Sequence, residues 1–269
     1  MSKHLMLLIL LFTIFCMFST NVSSEIFSDS GLIDIPTGKV LKHGIFGVGV
    51  YAPFQDVSQF QRNTVIFRVS FGMFDRLELG ATHILPHSND TSRSFLAHLK
   101  AHIITESGLI PNVALGIENL GDKVSYKWNT YQHQSSYLVI SKTFNLPRIH
   151  LISGHIGIGN NRFADDEQPI GFFAGVSTEI SPAFARGDIG FNLEYDGTGV
   201  NAGIRHTANS GLQIAVGVET LNRPDEIRYL LSISWSNAKM LEQIDGVKRL
   251  ARQAAKLASQ AKSSEKTTE

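Results

Sequence analysis

His98, Lys100 and His102, in the stretch AHLKAHI, are the first residues whose types could do chemistry. Two histidines four positions apart suggest a metal site. On an extended strand, however, each residue advances the chain by ~3.3 Å, so the pair stand roughly 13 Å apart. Zinc needs its ligands at ~2 Å, so this pair cannot share an ion unaided. The triplet therefore reads as polar side chains on one face of a strand. Asp165, Asp166 and Glu167 follow Asn160 and Asn161. They offer oxygens of the kind calcium takes, but the spacing of a calcium-binding helix-loop-helix is absent. A solvated acidic loop is the reading for this group. His83 and His206 could assist a nucleophile, as in a membrane lipid hydrolase, yet no serine accompanies either at a suggestive spacing. Nucleophilic catalysis needs the pair within hydrogen-bond reach and a third group to orient the base. The expectation is no catalytic, cofactor-binding or metal-binding residue, and a lipid hydrolase is the weakest of the functional readings.

The same residues make sense as one face of a sheet. In GFNLEYDGTGVNAGIRH, Phe191, Leu193 and Tyr195 alternate with Asn192 and Glu194, and Ile204 alternates with Asn201 and Arg205 across the Asp196-Gly197 turn. Side chains alternate across a strand with period two, so this is a hairpin with one apolar and one polar face. The pattern continues along the chain. Arg68, Glu78, His98, Lys100, His102, Glu118, Asn192, Glu194, Asn201, Arg205, Glu219 and Arg228 collect on the polar face. Phe46, Val48, Val50, Phe67, Val69, Leu79, Leu99, Leu115, Ile214, Val216, Ile233 and Trp235 collect on the other.

The elements that must position these faces are about twelve strands, most near the ~9–11 residues that cross a bilayer at a tilt. They are expected at 44–52, 63–73, 77–85, 94–105, 112–119, 135–143, 149–159, 170–180, 187–195, 200–206, 212–221 and 226–236. The alternation is least clean between 135 and 180. Connections 53–62, 86–93, 120–134 and 160–169 are long and the intervening ones shorter, Phe74-Asp75-Arg76 being the tightest. Outer-membrane barrels sort their connections in this way, with longer loops outside and short periplasmic turns. The expected fold is all-β: a closed antiparallel up-and-down transmembrane barrel with a C-terminal α-helix. The apolar face meets lipid and the polar face lines the interior. The competing fold is a soluble β-barrel or sandwich whose apolar face is a core. Within the barrel, Glu219 is expected opposite Arg228 and Val218 opposite Tyr229, because a one-residue slip would invert both faces at once.

The flanks divide the chain further. Lys3 and His4 precede an apolar run, Leu5 to Phe18, which is shorter than the ~20 residues a spanning helix needs. With Val22-Ser23-Ser24 behind it, residues 1–24 read as a secretory signal peptide. Cys16, the single cysteine, lies inside this run, so the exported chain has no disulfide. Residues 25–43 are a lead-in segment and 44–236 the barrel. From 237 to 262 apolar residues recur every three or four positions among Lys248, Arg249, Arg252, Lys256 and Lys262, giving a basic amphipathic helix that Asn237 can cap. Residues 263–269 are polar and expected to be disordered. Lysine plus arginine equal aspartate plus glutamate at 24 each, which gives no sign of nucleic-acid binding.

GLIDIPTGKVLKHGIFGVGVY, residues 31–51, resembles the opening of the YjbH-like family of outer-membrane β-barrel proteins linked to exopolysaccharide production. EYDGTGVNAGIRH and GLQIAVGVETL are similar to hairpins of that family, so the resemblance extends over residues 31–236. The basic C-terminal helix lies outside it. The resemblance implies a bacterial outer-membrane location and a structural or passage role in making or exporting exopolysaccharide. The implied partners are outer-membrane lipid and a polysaccharide; the C-terminal helix, by its own pattern, reads as a solvated tail, a periplasmic coiled-coil or docking helix that meets an export partner, or a helix lying on anionic headgroups. A small general porin-like channel with no polysaccharide link is the alternative.

Overall fold

A computed structural model describes residues 31–54, 65–85, 94–121, 134–145, 151–164 and 168–265. Residues 1–30, much of the long loops and the last four residues lie outside the described residues. Twelve strands follow one another: β1 (Phe46–Phe54), β2 (Val65–Met73), β3 (Leu77–Leu85), β4 (Ser94–Ile104), β5 (Asn112–Gly121), β6 (Ser135–Asn145), β7 (Leu151–Gly159), β8 (Gly171–Ile180), β9 (Gly187–Tyr195), β10 (Val200–Ala208), β11 (Leu212–Glu219) and β12 (Arg228–Ser236). Each pairs antiparallel with its neighbours, and β1 with β12 closes the barrel. Closure leaves no edge, so every strand can satisfy its backbone groups without water. The register is the one that keeps both faces consistent: Val218 lies opposite Tyr229, and Glu219 opposite Arg228.

The exterior is apolar. Val69, Leu115, Ile158, Leu193 and Ile233 are each about half exposed, and Phe95 is 62% exposed. Soluble monomers rarely expose a continuous apolar belt of this extent. Aromatic pairs stand at both ends of the β1–β12 seam. Phe46 meets Trp235 edge-on at 5.4 Å, and Phe54 stacks on Tyr229 at 5.7 Å. Such girdles mark the two interfaces of a membrane barrel.

At one end lie the short turns and the start of the C-terminal helix; at the other lie the longer connections. The turn after β4 is tied down by Glu106. Its carboxylate accepts the Thr143 N–H at 2.9 Å and the Asn112 side-chain amide at 3.0 Å, and pairs with Lys142 at 3.0 Å. Burial pushes the Glu106 carboxyl upwards, but the Thr143 amide and Lys142 outweigh it and hold it below the usual carboxylate range.

Helix α1 runs from Ala238 to Glu265, three residues beyond the expected end. Asn237 does not cap it as expected. Its side chain accepts the Phe46 N–H at 2.9 Å and donates to the Gly44 carbonyl at 3.0 Å, so it laces the barrel seam. The Ser236 hydroxyl takes the first helical amide instead, at 3.1 Å. Lys239 pairs with Asp188 at 2.5 Å, and the Gln243 amide donates to the Asn209 carbonyl at 3.2 Å. The first two turns of α1 are therefore docked against the turn end of the barrel.

Candidate functional site: an occupied lumen

The lead-in segment does not merely lead into β1. Residues 31–41 lie inside the barrel, and the exposed Lys42 and His43 emerge at its turn end, where His43 meets Phe74 and Asp75. Leu32, Ile35 and Thr37 are at most 1% exposed. A tight turn, with the Leu32 N–H donating to the Ile35 carbonyl at 2.8 Å, sits among side chains from the loop-side half. The chain then passes Ser141 and Glu78 towards the turn end, where β1 begins. The sequence contains the reason. Leu32, Ile33, Ile35 and Pro36 form an apolar cluster with no strand of its own, and such a cluster must be buried somewhere.

The wall is shaped for it. Leu32 and Ile35 pack with Ala114, Tyr137, Val139, Phe163 and Phe173. Tyr137 and Val139 point inwards from β6, and Phe173 from β8. This explains the weak alternation between 135 and 180: these strands carry apolar residues on both faces, lipid on one side and the lead-in on the other. Ile33 packs separately with Ala215, Leu230 and the half-buried Tyr51. Gly175 makes the seat possible. A Cβ there would stand 2.7 Å from the Ile35 Cδ1 and 2.8 Å from the Leu32 Cδ1.

An irregular segment away from water must find partners for its amides. The polar face supplies them one by one. The Glu194 carboxylate accepts the Ile33 N–H at 3.0 Å on one oxygen and the Asp34 N–H at 2.7 Å on the other. The Asn201 amide holds that carboxylate, donating to Glu194 at 3.1 Å and to Asp196 at 3.1 Å. Arg162 donates to the Asp34 carbonyl at 2.6 Å and pairs with Glu118 at 2.7 Å. The Gly38 N–H donates to Ser141 at 2.7 Å; Ser141 meets His155 at 2.7 Å, and His155 meets Ser177 at 3.1 Å. Glu78 takes the Leu41 N–H at 3.0 Å.

The connection after β7 also turns inwards. Arg162 and Phe163 come from a single helical turn, Asn161–Phe163, and Phe163 is fully buried against Tyr137 and Phe173. Residues 160–169 were expected to face outwards; the Arg162–Phe163 pair folds into the lumen because Phe163 completes the apolar seat. Gly197 permits this approach. It has a φ of +104°, and a Cβ there would stand 2.0 Å from the Phe163 carbonyl oxygen.

The remaining polar residues lie on the same inward face. Arg68 lines a cavity of about 70 Å³ with Tyr51, Thr82, His98, Glu118 and Arg162, room for a few waters. His98 meets Thr82 at 2.5 Å. Lys100 is buried opposite Glu78 on the β3–β4 ladder, and His102 meets Asn112 at 2.9 Å. Asn192 is buried between Gly203 and Ser177. Arg205 is 1% exposed and pairs with Glu179 at 3.3 Å. Glu219 pairs with Arg228 at 3.0 Å. The structure thus gathers Glu194, Asn201, Glu118 and Glu78 around one segment. His206 points outwards and meets the Ala185 carbonyl at 2.8 Å. Among the described residues no three His, Cys, Asp or Glu side chains are placed to hold a metal ion.

Sequence reasoning missed Asp34, Ser141, His155, Arg162, Phe163 and Glu179. The apolar GLIDIP stretch was a signal for the first, and the double-sided strands for several of the others.

The family model described as exopolysaccharide biosynthesis protein YbjH, of the YjbH family, matches residues 23–222, which includes the lead-in and the first eleven strands. The chain belongs to the YjbH family. This YjbH-family chain is an outer-membrane barrel whose lumen is filled by its own N-terminal segment. Among solved structures, a KdgM porin is similar, with 13% identity, a TM-score of 0.47, and coverage of 70% of this chain and 98% of that one. An outer membrane channel of the COG4313 group from Pseudomonas putida F1 has 14% identity, a TM-score of 0.39, and coverage of 74% and 97%. No curated protein matches the chain.

Proposed function

We propose that this barrel is a non-enzymatic passage component of the outer-membrane step in exopolysaccharide production, held shut by residues 31–41. The observation that carries this reading is the seated segment itself. A wall that offers Glu194, Ser141 and Glu78 to backbone amides of the segment is built for a peptide, and the segment occupies the space between the strands that a polymer would need. Passage then requires the segment to leave its seat. The polar inner face, rich in paired acids and bases, suits the hydroxyls and charges of a polysaccharide once it is uncovered.

Planar-bilayer recording tests the closure. The wild-type protein is expected to stay silent, and a variant lacking residues 31–37 to show conductance steps while keeping the heat-modifiable gel migration of a folded barrel. Steady steps from the wild type would favour a general porin. A folded but silent deletion would favour a purely structural role. The polysaccharide link is tested in cells: unchanged extracellular polysaccharide in a strain lacking the protein would overturn it.

A further inference from the structure

Helix α1 is longer than its docking needs. Lys239 and Gln243 fasten its first two turns, yet every residue from Val247 to Leu257 is exposed. Along this free part runs an apolar seam. Met240, Ile244, Val247, Ala251, Ala254 and Ala258, continued by Ala261, recur at spacings of 4, 3, 4, 3, 4 and 3. Met240 and Ile244 are 48% and 41% exposed, and Val247 is 66% exposed.

Three features decide what covers it. The repeat is strictly of seven residues. A straight helix drifts by ~20° per heptad against such a repeat, so the seam stays aligned only when the helix supercoils about another helix. Second, the seam itself is alanine beyond Val247, bordered on one side by the exposed Leu250 and Leu257, and no aromatic residue stands anywhere in the helix. Helices that lie on lipid depend on a broad apolar face, with residues such as Trp, Phe and Leu. Alanine adds little apolar area but lets two helices approach closely. Third, between Gly246 and Ser264 stand Lys248, Arg249, Arg252, Lys256 and Lys262, with no acidic residue. Of these, Lys248 and Lys262 flank the seam, so a second copy of the helix would bring two more lysines to its edges and no acid to pair with them.

We propose that α1 is one strand of a coiled coil whose other strand is a helix of a periplasmic protein, with an apolar heptad seam flanked by glutamate or aspartate. Lys248 and Lys262 directly flank the seam and meet those acids. The inference does not depend on whether the barrel conducts.

The test uses the full-length protein in detergent micelles. The probe is a synthetic four-heptad peptide with Ile and Leu in the seam and Glu on both flanks, set against a scrambled peptide of the same composition. Saturable binding of the heptad peptide is expected. It should fall at least tenfold in Val247→Asp and in Ala254→Asp, both of which leave the barrel's heat-modifiable migration intact because these positions touch no strand. Equal binding of the scrambled peptide would overturn the proposal by showing that charge alone suffices, as would unchanged binding in both variants. Dimerisation of the wild type in sedimentation, abolished by Val247→Asp, would replace the partner with a second copy. Protection of the helix only on phosphatidylglycerol vesicles would replace it with the membrane.

Discussion

Filling the gap at Gly175 should unseat the lead-in segment without unfolding the barrel. In Gly175→Ala the new methyl meets only the ends of two flexible side chains, Ile35 Cδ1 at 2.7 Å and Leu32 Cδ1 at 2.8 Å, with Glu194 Cβ at 3.2 Å. Small rotations relieve those contacts. Gly175→Leu adds three further carbons where Leu32 and Ile35 already fill the space. Overpacking of this kind costs about 1–3 kcal/mol. The barrel wall is fixed by ladders on both sides of β8, so the strain falls on the segment held by side-chain contacts. Every 1.4 kcal/mol shifts an equilibrium tenfold, so the released fraction should rise about 5- to 150-fold. The opposing term is the burial of two aliphatic side chains at roughly 1.5–3 kcal/mol each, together with the two hydrogen bonds that the Ile33 and Asp34 N–H groups donate to Glu194. Release is thus promoted, not completed, by this single change. The assay is the rate of thiol labelling at Ile33→Cys, which packs apart from Gly175 against Ala215 and Leu230, and is a clean reporter because the only native cysteine, Cys16, precedes the barrel in the expected signal segment. Faster labelling in Gly175→Leu than in Gly175→Ala, in parallel with bursts of conductance, is expected. Equal and slow labelling in both variants, with the barrel folded, would refute the account of the seat.

Glu219 and Arg228 form an ion pair with little exposure, so either alanine substitution should destabilise the barrel by about 3–5 kcal/mol in urea unfolding, while the charge-swapped double variant loses less; equal losses in all three would remove the pairing. Folding lowers the pKa of Glu106 below its ordinary 4.5, so ionised Glu106 adds stability above that value and loses it as pH falls through the lowered one. Glu106→Gln should therefore be less stable than wild type at pH 7, with the gap closing as the pH drops below about 4; a gap that widens in acid would reverse the argument. Whole cells should be labelled at Asp225→Cys, in the turn between β11 and β12, and not at Lys256→Cys in α1, since the two lie at opposite ends of the barrel; labelling of the helix alone would invert the topology.

The comparison of sequence and structure turns on range. Strand alternation is a local property: Phe191, Asn192, Leu193 and Glu194 declare their faces wherever the chain goes, and a slip in pairing would contradict every residue at once. Hence the strands, the closure and the Glu219–Arg228 register were legible. So was the basic helix, whose period is equally local. The lead-in segment was not. Its residues interact across the sequence, Ile33 with Glu194 and Gly38 with Ser141, and nothing in a strand's own pattern says what fills the space it encloses. The same holds for Asn237, a good helix cap by type, whose side chain is drawn instead to the start of β1 where that strand closes on β12. The sequence by itself determined which side chains face inwards, because that depends on a period of two. Only the tertiary structure decided that the interior is occupied, because occupancy depends on the volume left between twelve strands and on which distant segment carries the apolar surface to fill it.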